Sequence, residues 1–360
     1  MVHTRPEQTT GVRDTRIARV SPLTTPADLL ERLPLEPGLA DVVLRGRADV
    51  EAILDGADDR LLVVVGPCSV HDPDAALDYA RRLAEQAVRH GDDLLVAMRV
   101  YFEKPRTTTG WKGLINDPHL DGTGDVDSGV RAARELLLEV LGLGLPVGCE
   151  FLDPITPQYI SDAVSWGAIG ARTTESQIHR QLGSGLSMPV GFKNRTDGNV
   201  QVAVDAVRAA ASTHSFAGVD VSGTPAILHT TGNPDGHVIL RGGGGQPNHG
   251  RASIGAALTK LRKAGLAERL VIDASHDNSG KDHERQPAVA AQIGAQVAAG
   301  SRAIVGVMLE SFLVAGRQDV VDGAELTYGQ SITDACMAWE TTVGVLDELA
   351  ADVRARRALS

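Results

Sequence analysis

Eight short apolar runs, most of them separated by a helical segment, constrain the fold of this 360-residue chain more than any other feature. Runs of strand length that are apolar throughout are typical of parallel strands buried on both faces. Eight strand–helix units favour an α/β fold that closes into a (β/α)₈ TIM barrel over an open doubly wound sheet. The runs cover residues 61–65, 94–101, 146–150, 168–172, 189–193, 237–241, 270–276 and 303–310.

The remaining segments predict additions to this barrel. We expect a polar tail over residues 1–12, an N-terminal extension over 13–60 and the barrel over 61–360. Within the extension, Thr25 and Pro26 predict the start of a short helix. Its apolar residues, which form either an oligomer or regulatory contact or a packing surface against the barrel base, are Leu29, Leu30, Leu33 and Val50. The turn residues 233–236 predict a β-hairpin insertion at strand six.

Charge and composition exclude several classes of function. The formal charge of −11 and the 3% aromatic content disfavour nucleic-acid binding. No apolar run approaches the roughly 20 residues of a membrane span. Three cysteines, an odd number in a long chain, argue against a disulfide framework and for a reducing compartment, so we expect a cytoplasmic protein.

The polar residues that end the eight runs predict the position of a functional site. In a barrel these strand ends converge on one face, where active sites of this fold are built. One polar strand end needs no function, because strands must emerge into water; eight out of eight, with four cations and three metal-binding side chains, indicate a site. In chain order the residues are Cys68, Arg99, Glu150, Arg172, Lys193, Arg241, His276 and Glu310.

The cations of this set predict an anionic ligand. Arg99 opens a segment in which Lys104, Arg106 and Lys112 follow within fourteen residues. Such charges repel one another unless an anion binds among them. Arginine suits bidentate contacts to phosphate and carboxylate, and lysine supplies a point charge. Six converging cations exceed the needs of one phosphate, and they favour two phosphorylated groups or a phosphate with a carboxylate. They are Arg99, Lys104, Arg106, Arg172, Lys193 and Arg241.

A second group at the strand ends predicts a metal site. Cys68, His276 and Glu310, with Asp334 from a later loop, offer one thiolate, one imidazole and two carboxylates. This mixed set suits a divalent transition metal such as Mn²⁺, Fe²⁺, Co²⁺ or Zn²⁺. The ligands span 267 positions of the chain, so only the barrel brings them together.

Six motifs in order along the chain resemble those of type I 3-deoxy-D-arabino-heptulosonate 7-phosphate (DAHP) synthases. They are Gly66–Asp72, Arg99–Pro118, Gly170–Gln177, Pro189–Asn194, Leu240–Gly243 and Gly329–Asp334. The resemblance runs from about residue 13 to 350. It implies that the chain condenses phosphoenolpyruvate, erythrose 4-phosphate and water to DAHP and phosphate, the first step of the shikimate pathway toward aromatic amino acids.

The resemblance also implies a role for each site residue. Arg99, Lys104, Arg172, Lys193 and Arg241, with the backbone of Gly170 and Ala171, would hold phosphoenolpyruvate. Lys104, Pro105, Arg106 and Thr107 match the erythrose 4-phosphate motif. Cys68, His276, Glu310 and Asp334 match the metal ligands, with Mn²⁺ the first candidate ion. Glu150 would lie near the reacting carbon, and either Glu150 or a relay of Lys104 and His276 would activate the attacking water.

Regulation and assembly are implied in the same way. Pro157, Gln158, Leu186, Ser187, Phe216 and Gly218 resemble an amino-acid feedback site. The Thr-Lys pair usual after Phe216 is missing, and the small residue at Gly218 favours tyrosine over phenylalanine as effector. We expect a homodimer or homotetramer.

Two alternatives are weighed against this interpretation. The sister enzyme 3-deoxy-D-manno-octulosonate 8-phosphate synthase carries a Lys-Ala-Asn-Arg-Ser signature, whereas this chain has Lys-Pro-Arg-Thr at 104–107. A catalytically silent regulatory paralogue should have lost ligands, but all four metal ligands and all six cations are present.

Overall fold

The computed structural model of this chain describes residues 12–106, 108–321 and 323–359. The helices are α1 Pro26–Arg32, α2 Pro37–Asp55, α3 Pro73–Arg89, α4 Val126–Gly142, α5 Pro157–Ile160, α6 Gln177–Gly185, α7 Gln201–Ala210, α8 Arg251–Lys263, α9 His276–Ser279, α10 Gln286–Ala298 and α11 Trp339–Arg357. The strands are β1 Leu61–Gly66, β2 Leu94–Arg99, β3 Val147–Glu150, β4 Trp166–Ile169, β5 Val190–Lys193, β6 Ser215–Val219, β7 Pro225–His229, β8 His237–Leu240, β9 Leu270–Asp273, β10 Ile304–Glu310, β11 Val314–Arg317 and β12 Gln330–Ser331.

Eight of these strands close into the predicted barrel. Their order around it is β1, β2, β3, β4, β5, β8, β9 and β10, and β10 pairs with β1. Every barrel pairing is parallel, with Leu62 opposite Gly306 where the barrel closes. The predicted (β/α)₈ fold is therefore confirmed, and the carboxyl ends of all eight strands lie on one face.

Two hydrophobic layers hold the barrel. Alternate strand residues such as Val63 and Val65 pack outward against the helices. Their neighbours, among them Val64, Trp166 and Met308, fill the barrel interior. This alternation follows from the two-residue repeat of a strand. Among the residues that the structure describes, no helix is long and apolar enough to cross a membrane.

Side-chain caps explain where several helices begin. The hydroxyl of Thr25 accepts the backbone N–H of Asp28, and Pro26 follows at the first helical position, as predicted. The carboxylate of Asp72 accepts the N–H of Ala75 at 3.1 Å and so caps the first turn of α3. This cap sets where the loop after β1 ends.

The N-terminal extension packs against the barrel. Leu29 and Val50 are only 2% and 1% exposed, which fits the packing alternative for these two residues. Val50, Ile53 and Leu54 of α2 join the interior layer of the barrel. An oligomer contact by the rest of the extension stays a prediction.

The hairpin precedes the sixth barrel strand, but its turn is not where the sequence predicted it. Strand β7 pairs with β6, so the turn covers Asp220–Thr224 and not residues 233–236. Asp220 stabilises this turn by accepting the N–H groups of Ser222 and Thr224. Asn233 instead donates to the carbonyls of Leu186 and Met188 ahead of β8. Both segments carry turn residues, and strand pairing decides between them.

A buried histidine near the barrel base makes stability depend on pH. The indole N–H of Trp166 donates to Nε2 of His237 at 3.1 Å, so this nitrogen carries no proton. Burial lowers the pKa of His237 to about 4. The unfolded chain, with an ordinary histidine pKa near 6.5, binds more protons between these values, so stability falls as the pH falls.

We expect His237 to lower the free energy of unfolding by about 2 kcal/mol between pH 7 and pH 5. Urea unfolding at both pH values checks this, with His237→Gln as the comparison. The variant should be less stable at pH 7 but lose less on acidification. An equal loss in both proteins contradicts the assignment.

Candidate active site

A polar cavity opens at the carboxyl ends of the barrel strands. Arg99, Glu150 and Lys193 are the last residues of β2, β3 and β5, and Arg241 follows β8 directly. The lining residues are Cys68, Arg99, Tyr101, Glu103, Lys104, Pro105, Glu150, Gly170, Ala171, Arg172, Lys193, Thr196, Arg241, His276, Lys281 and Asp334. The structure thus brings most of the predicted site residues together in one cavity.

Three of the four predicted metal ligands form a tight group. The donor atoms of Cys68, Glu310 and Asp334 all lie within 4.8 Å of one another. His276 is next to this group, with its Nε2 3.9 Å from Oε1 of Glu310. Donors that each lie about 2.0–2.3 Å from a shared ion have separations of this size. The geometry and the donor types therefore fit a divalent transition metal.

Asp273 orients the His276 ring toward this group. Nδ1 of His276 lies 2.9 Å from the Asp273 carboxylate, which leaves Nε2 to face Glu310. Ligating histidines typically have such a partner, which fixes the tautomer. His276 also has a left-handed φ of 51°, which is uncommon for a residue with a side chain.

Lys104 lies between the metal group and the rest of the cavity. Its Nζ donates to Sγ of Cys68 at 2.9 Å and to Asp334 at 3.1 Å. Burial alone would lower the pKa of Lys104, but the neighbouring Cys68 and Asp334 raise it above its ordinary value. For Asp334, burial would raise the pKa, but Lys104 and Lys281 hold it well below the usual range. Two of the four donors, Cys68 and Asp334, thus already contact the positive charge of Lys104.

Arg99 connects the cation cluster to the metal group. Its guanidinium donates to the carbonyls of Pro67 and Cys68 at 3.1 and 3.0 Å, and to Glu310 at 3.1 Å. Its Cζ lies 3.6 Å from the ring centroid of Tyr101, a cation–π contact. Arg99 is therefore fixed at the cavity wall by contacts to the Pro67–Cys68 backbone, to Glu310 of the metal group and to the Tyr101 ring.

Asp273 was not among the predicted site residues, although it holds two of them. Its carboxylate accepts from Nζ of Lys193 at 2.8 Å and is itself fully buried. Burial alone would raise the pKa of Asp273, but the charges of His276 and Lys193 hold it well below its ordinary value. The available signal in the sequence was an aspartate that directly follows the apolar residues 270–272.

Glu150 differs from the other buried charges. It is 9% exposed and faces a cavity rich in cations, yet no hydrogen bond or ion pair joins its carboxylate to any described residue. A Cβ added to Gly170 would lie 2.1 Å from Oε1 of Glu150. Glycine at position 170 is therefore required to seat this carboxylate.

One described residue of the predicted erythrose 4-phosphate motif, Arg106, does not line the cavity. Arg106 is exposed, and its guanidinium packs over Gly110. Thr107 lies outside the described residues. Glu103, which was not predicted, does line the cavity, and it accepts the hydroxyl of Thr156 at 3.1 Å. Burial and the charge of Asp153 raise the pKa of Glu103 to about 7.

The predicted feedback residues lie outside this cavity. Leu186 and Ser187 line a surface cavity together with Ser184 and Thr230. Phe216 and Gly218 lie on β6, opposite Leu228 and Ala226 of β7. Pro157 and Gln158 begin α5.

The chain at the start of α1 contacts two of these places. Tyr159 of α5 donates its hydroxyl to the Thr24 carbonyl, and the N–H of Ala27 donates to Val221 in the hairpin turn. Two of the elements that carry predicted feedback residues, α5 and the β6–β7 hairpin, therefore both contact the start of α1.

Comparisons with known proteins agree with this site. The sequence signature of the DAHP synthetase I family matches residues 41–347. A Corynebacterium glutamicum protein named phospho-2-dehydro-3-deoxyheptonate aldolase is 55% identical over 359 residues, 98% of this chain and 97% of the relative. A Phe-sensitive protein of that name from Escherichia coli (strain K12) is 53% identical over 344 residues, 96% of this chain and 98% of the relative.

A solved structure shares the fold over almost the whole chain. The phospho-2-dehydro-3-deoxyheptonate aldolase from Francisella tularensis SCHU S4 is similar with a TM-score of 0.93 and 50% sequence identity. The match covers 95% of this chain and 99% of that one. Because both the family signature and the relatives span most of the sequence, the chain belongs to the DAHP synthetase I family.

Proposed function

We propose that this chain is a metal-dependent DAHP synthase whose chemistry takes place in the cavity at the carboxyl ends of the barrel strands. The reaction joins C3 of phosphoenolpyruvate to the aldehyde carbon of erythrose 4-phosphate. Water adds at C2, and the C–O bond to the phosphate breaks, so the products are DAHP and inorganic phosphate. The observation that carries the site assignment is one cavity lined by cations next to a tight Cys68–Glu310–Asp334 group.

The cations bind and orient the two anionic substrates. Arg172, Lys193 and Arg241 lie on neighbouring strand ends and would hold the phosphate and carboxylate of phosphoenolpyruvate, with Arg99 and Lys104 opposite them. Fixing both substrates in one cavity replaces a bimolecular encounter by a local step. Pro105, Arg106 and Thr107 follow Lys104 directly and would bring the erythrose phosphate to the cavity mouth.

Cys68, His276, Glu310 and Asp334 would hold the divalent ion, with Mn²⁺ the first candidate and Fe²⁺, Co²⁺ or Zn²⁺ the alternatives. When bound, such an ion supplies a Lewis acid that polarises a carbonyl oxygen. The chain's own part is to keep the donors together, and Lys104 contacts two of them. Glu150, whose carboxylate has no hydrogen-bond or ion-pair partner among the described residues, would accept a proton from the water that adds at C2.

Regulation by an aromatic amino acid is part of the proposal. Relatives at 49–54% identity carry the names Trp-, Phe- and Tyr-sensitive. The structure supports a separate effector region in that Leu186 and Ser187 line a surface cavity of their own. We propose tyrosine as the first effector to test, because residue 218 is glycine.

Phosphate release from phosphoenolpyruvate with Mn²⁺ tests the function. We expect turnover with erythrose 4-phosphate, none without an aldehyde, and a loss on the order of 10³-fold after EDTA that added metal restores. Tyrosine, phenylalanine and tryptophan, each added to the same assay, identify the effector.

Arabinose 5-phosphate is the control substrate. Turnover with this aldehyde alone would move the chain to the sister activity. Absence of turnover with every aldehyde and every metal would favour the regulatory paralogue instead. Full activity in EDTA would contradict the metal dependence only.

A further inference from the structure

Three asparagine side chains surround the turn that follows β8, where Arg241 enters the active-site cavity. Asn194 follows β5, Asn248 lies in the loop after β8, and Asn278 follows β9. Asn194 and Asn278 are 0% and 5% exposed. Buried amides of this kind carry a cost unless their donors and acceptors are paired, so each pairing is informative.

Asn194 and Asn248 bind the turn itself. Oδ1 of Asn194 accepts the backbone N–H of Arg241 at 2.9 Å, and its Nδ2 donates to the Gly242 carbonyl at 2.8 Å. Oδ1 of Asn248 accepts the N–H of Gly242 at 2.7 Å. The two side chains also bind each other, with Nδ2 of Asn248 3.1 Å from Oδ1 of Asn194.

Asn278 ties the same turn to β9. Its Nδ2 donates to the carbonyls of Leu240 at 3.2 Å and Asp273 at 2.7 Å. Its Oδ1 accepts the backbone N–H of Asn248 at 2.7 Å. Gly242 has a left-handed φ of 71°, and a Cβ there would lie 2.8 Å from the backbone nitrogen of Asn278. The turn thus packs directly on the segment that follows β9.

The guanidinium of Arg241 has few contacts of its own. Its NH1 donates to Asp277 at 3.1 Å, whereas its Nε is buried without a hydrogen-bond partner among the described residues. The position of this side chain therefore depends chiefly on the backbone that carries it. The three asparagines hold that backbone by hydrogen bonds. Two of them are also close to other site residues: Asn194 follows Lys193 in the chain, and Asn278 donates to the carbonyl of Asp273.

We infer that Asn194, Asn248 and Asn278 form an asparagine clamp that positions Arg241 for the phosphate of phosphoenolpyruvate. The inference rests on the proposed function for the identity of the anion. The clamp residues are positioning residues, because they act through the backbone of Arg241 and do not line the cavity. Substitution of these residues should weaken the binding of phosphoenolpyruvate and not that of erythrose 4-phosphate, because the predicted erythrose 4-phosphate motif follows β2.

Asn248→Ala tests the clamp, because it removes two side-chain bonds and leaves the backbone N–H that binds Asn278. We expect the dissociation constant of phosphoenolpyruvate, measured by titration calorimetry, to rise at least fivefold. The KM for erythrose 4-phosphate should change less than twofold. If the alanine variant does not fold, Asn248→Ser, which keeps a side-chain oxygen, gives the same comparison with a smaller rise.

Asn233→Ala is the matched control. Asn233 is 5% exposed and its side chain donates to two backbone carbonyls, but it lies ahead of β8, at the opposite end of the strand from the clamp. It should lose a similar amount of thermal stability and bind phosphoenolpyruvate as the wild type does.

Unchanged binding in Asn248→Ala, or equal weakening in Asn233→Ala, would overturn the clamp. A wild-type chain that binds phosphoenolpyruvate but releases no phosphate would contradict the proposed function and leave this comparison of binding intact. A wild-type chain that does not bind phosphoenolpyruvate would contradict both.

Discussion

Replacement of Cys68 by alanine should abolish both metal binding and turnover. The Cys68 thiol is fully buried, and its Sγ lies 3.7 Å from the Asp334 carboxylate. It belongs to the three donors that all lie within 4.8 Å of one another. It is the only sulfur among the four proposed ligands, so its loss removes the soft ligand of the set. We expect turnover to fall on the order of 10³-fold, because loss of metal removes several kcal/mol of charge stabilisation.

Spectroscopy with Co²⁺ separates this prediction from a loss of fold. The wild-type protein should show a sulfur-to-cobalt charge-transfer band, and Cys68→Ala should not. Cys149→Ser is the control, since Cys149 is a second buried thiol whose Sγ contacts the Val100 carbonyl at 2.9 Å. It should keep the band and the metal stoichiometry. A Cys68→Ala protein that binds one equivalent of metal and turns over normally would contradict the ligand assignment.

Replacement of Glu150 by glutamine should lower kcat without weakening the binding of phosphoenolpyruvate. General acid–base groups contribute roughly 10²–10⁴-fold, and we expect a loss in that range. The substitution also removes a negative charge from a cavity built for anions, so phosphoenolpyruvate should bind as well or more tightly. Single-turnover kinetics with calorimetric binding measure the two effects separately.

Gly170→Ala provides a second route to the same carboxylate. The new Cβ would overlap Oε1 of Glu150, so the carboxylate would have to move although the side chain stays a glutamate. The alanine variant should therefore lose kcat as Glu150→Gln does, but it should not gain affinity for phosphoenolpyruvate. If Glu150→Gln instead weakens binding and leaves kcat unchanged, Glu150 serves binding and not proton transfer.

Much of the barrel and of the site could be predicted because the signals are local. An apolar run that ends in a charged residue marks both a buried strand and its functional end, as at Arg99 and Lys193. Conversion of these ends into one cavity needed only the symmetry of the fold. The metal group followed from the same reasoning, although its residues are far apart in the chain.

The parts that escaped prediction depend on partners distant in sequence. Asp273 is one carboxylate in an apolar run, and its importance comes from Lys193, 80 positions earlier. The hairpin turn at Asp220–Thr224 competed with an equally suitable turn at 233–236, and the pairing of β6 with β7 chose between them. The proposed asparagine clamp joins three loops that no local pattern connects.

The packed interior of the barrel has a kinetic consequence. Val50, Ile53 and Leu54 of α2 join the side chains that fill it, so the described part of the chain leaves no route for solutes along the barrel axis. Reactants and products must therefore pass through one shared mouth at the carboxyl ends of the strands. Departure of inorganic phosphate and DAHP has to precede the next round, and each product excludes an incoming substrate while it stays.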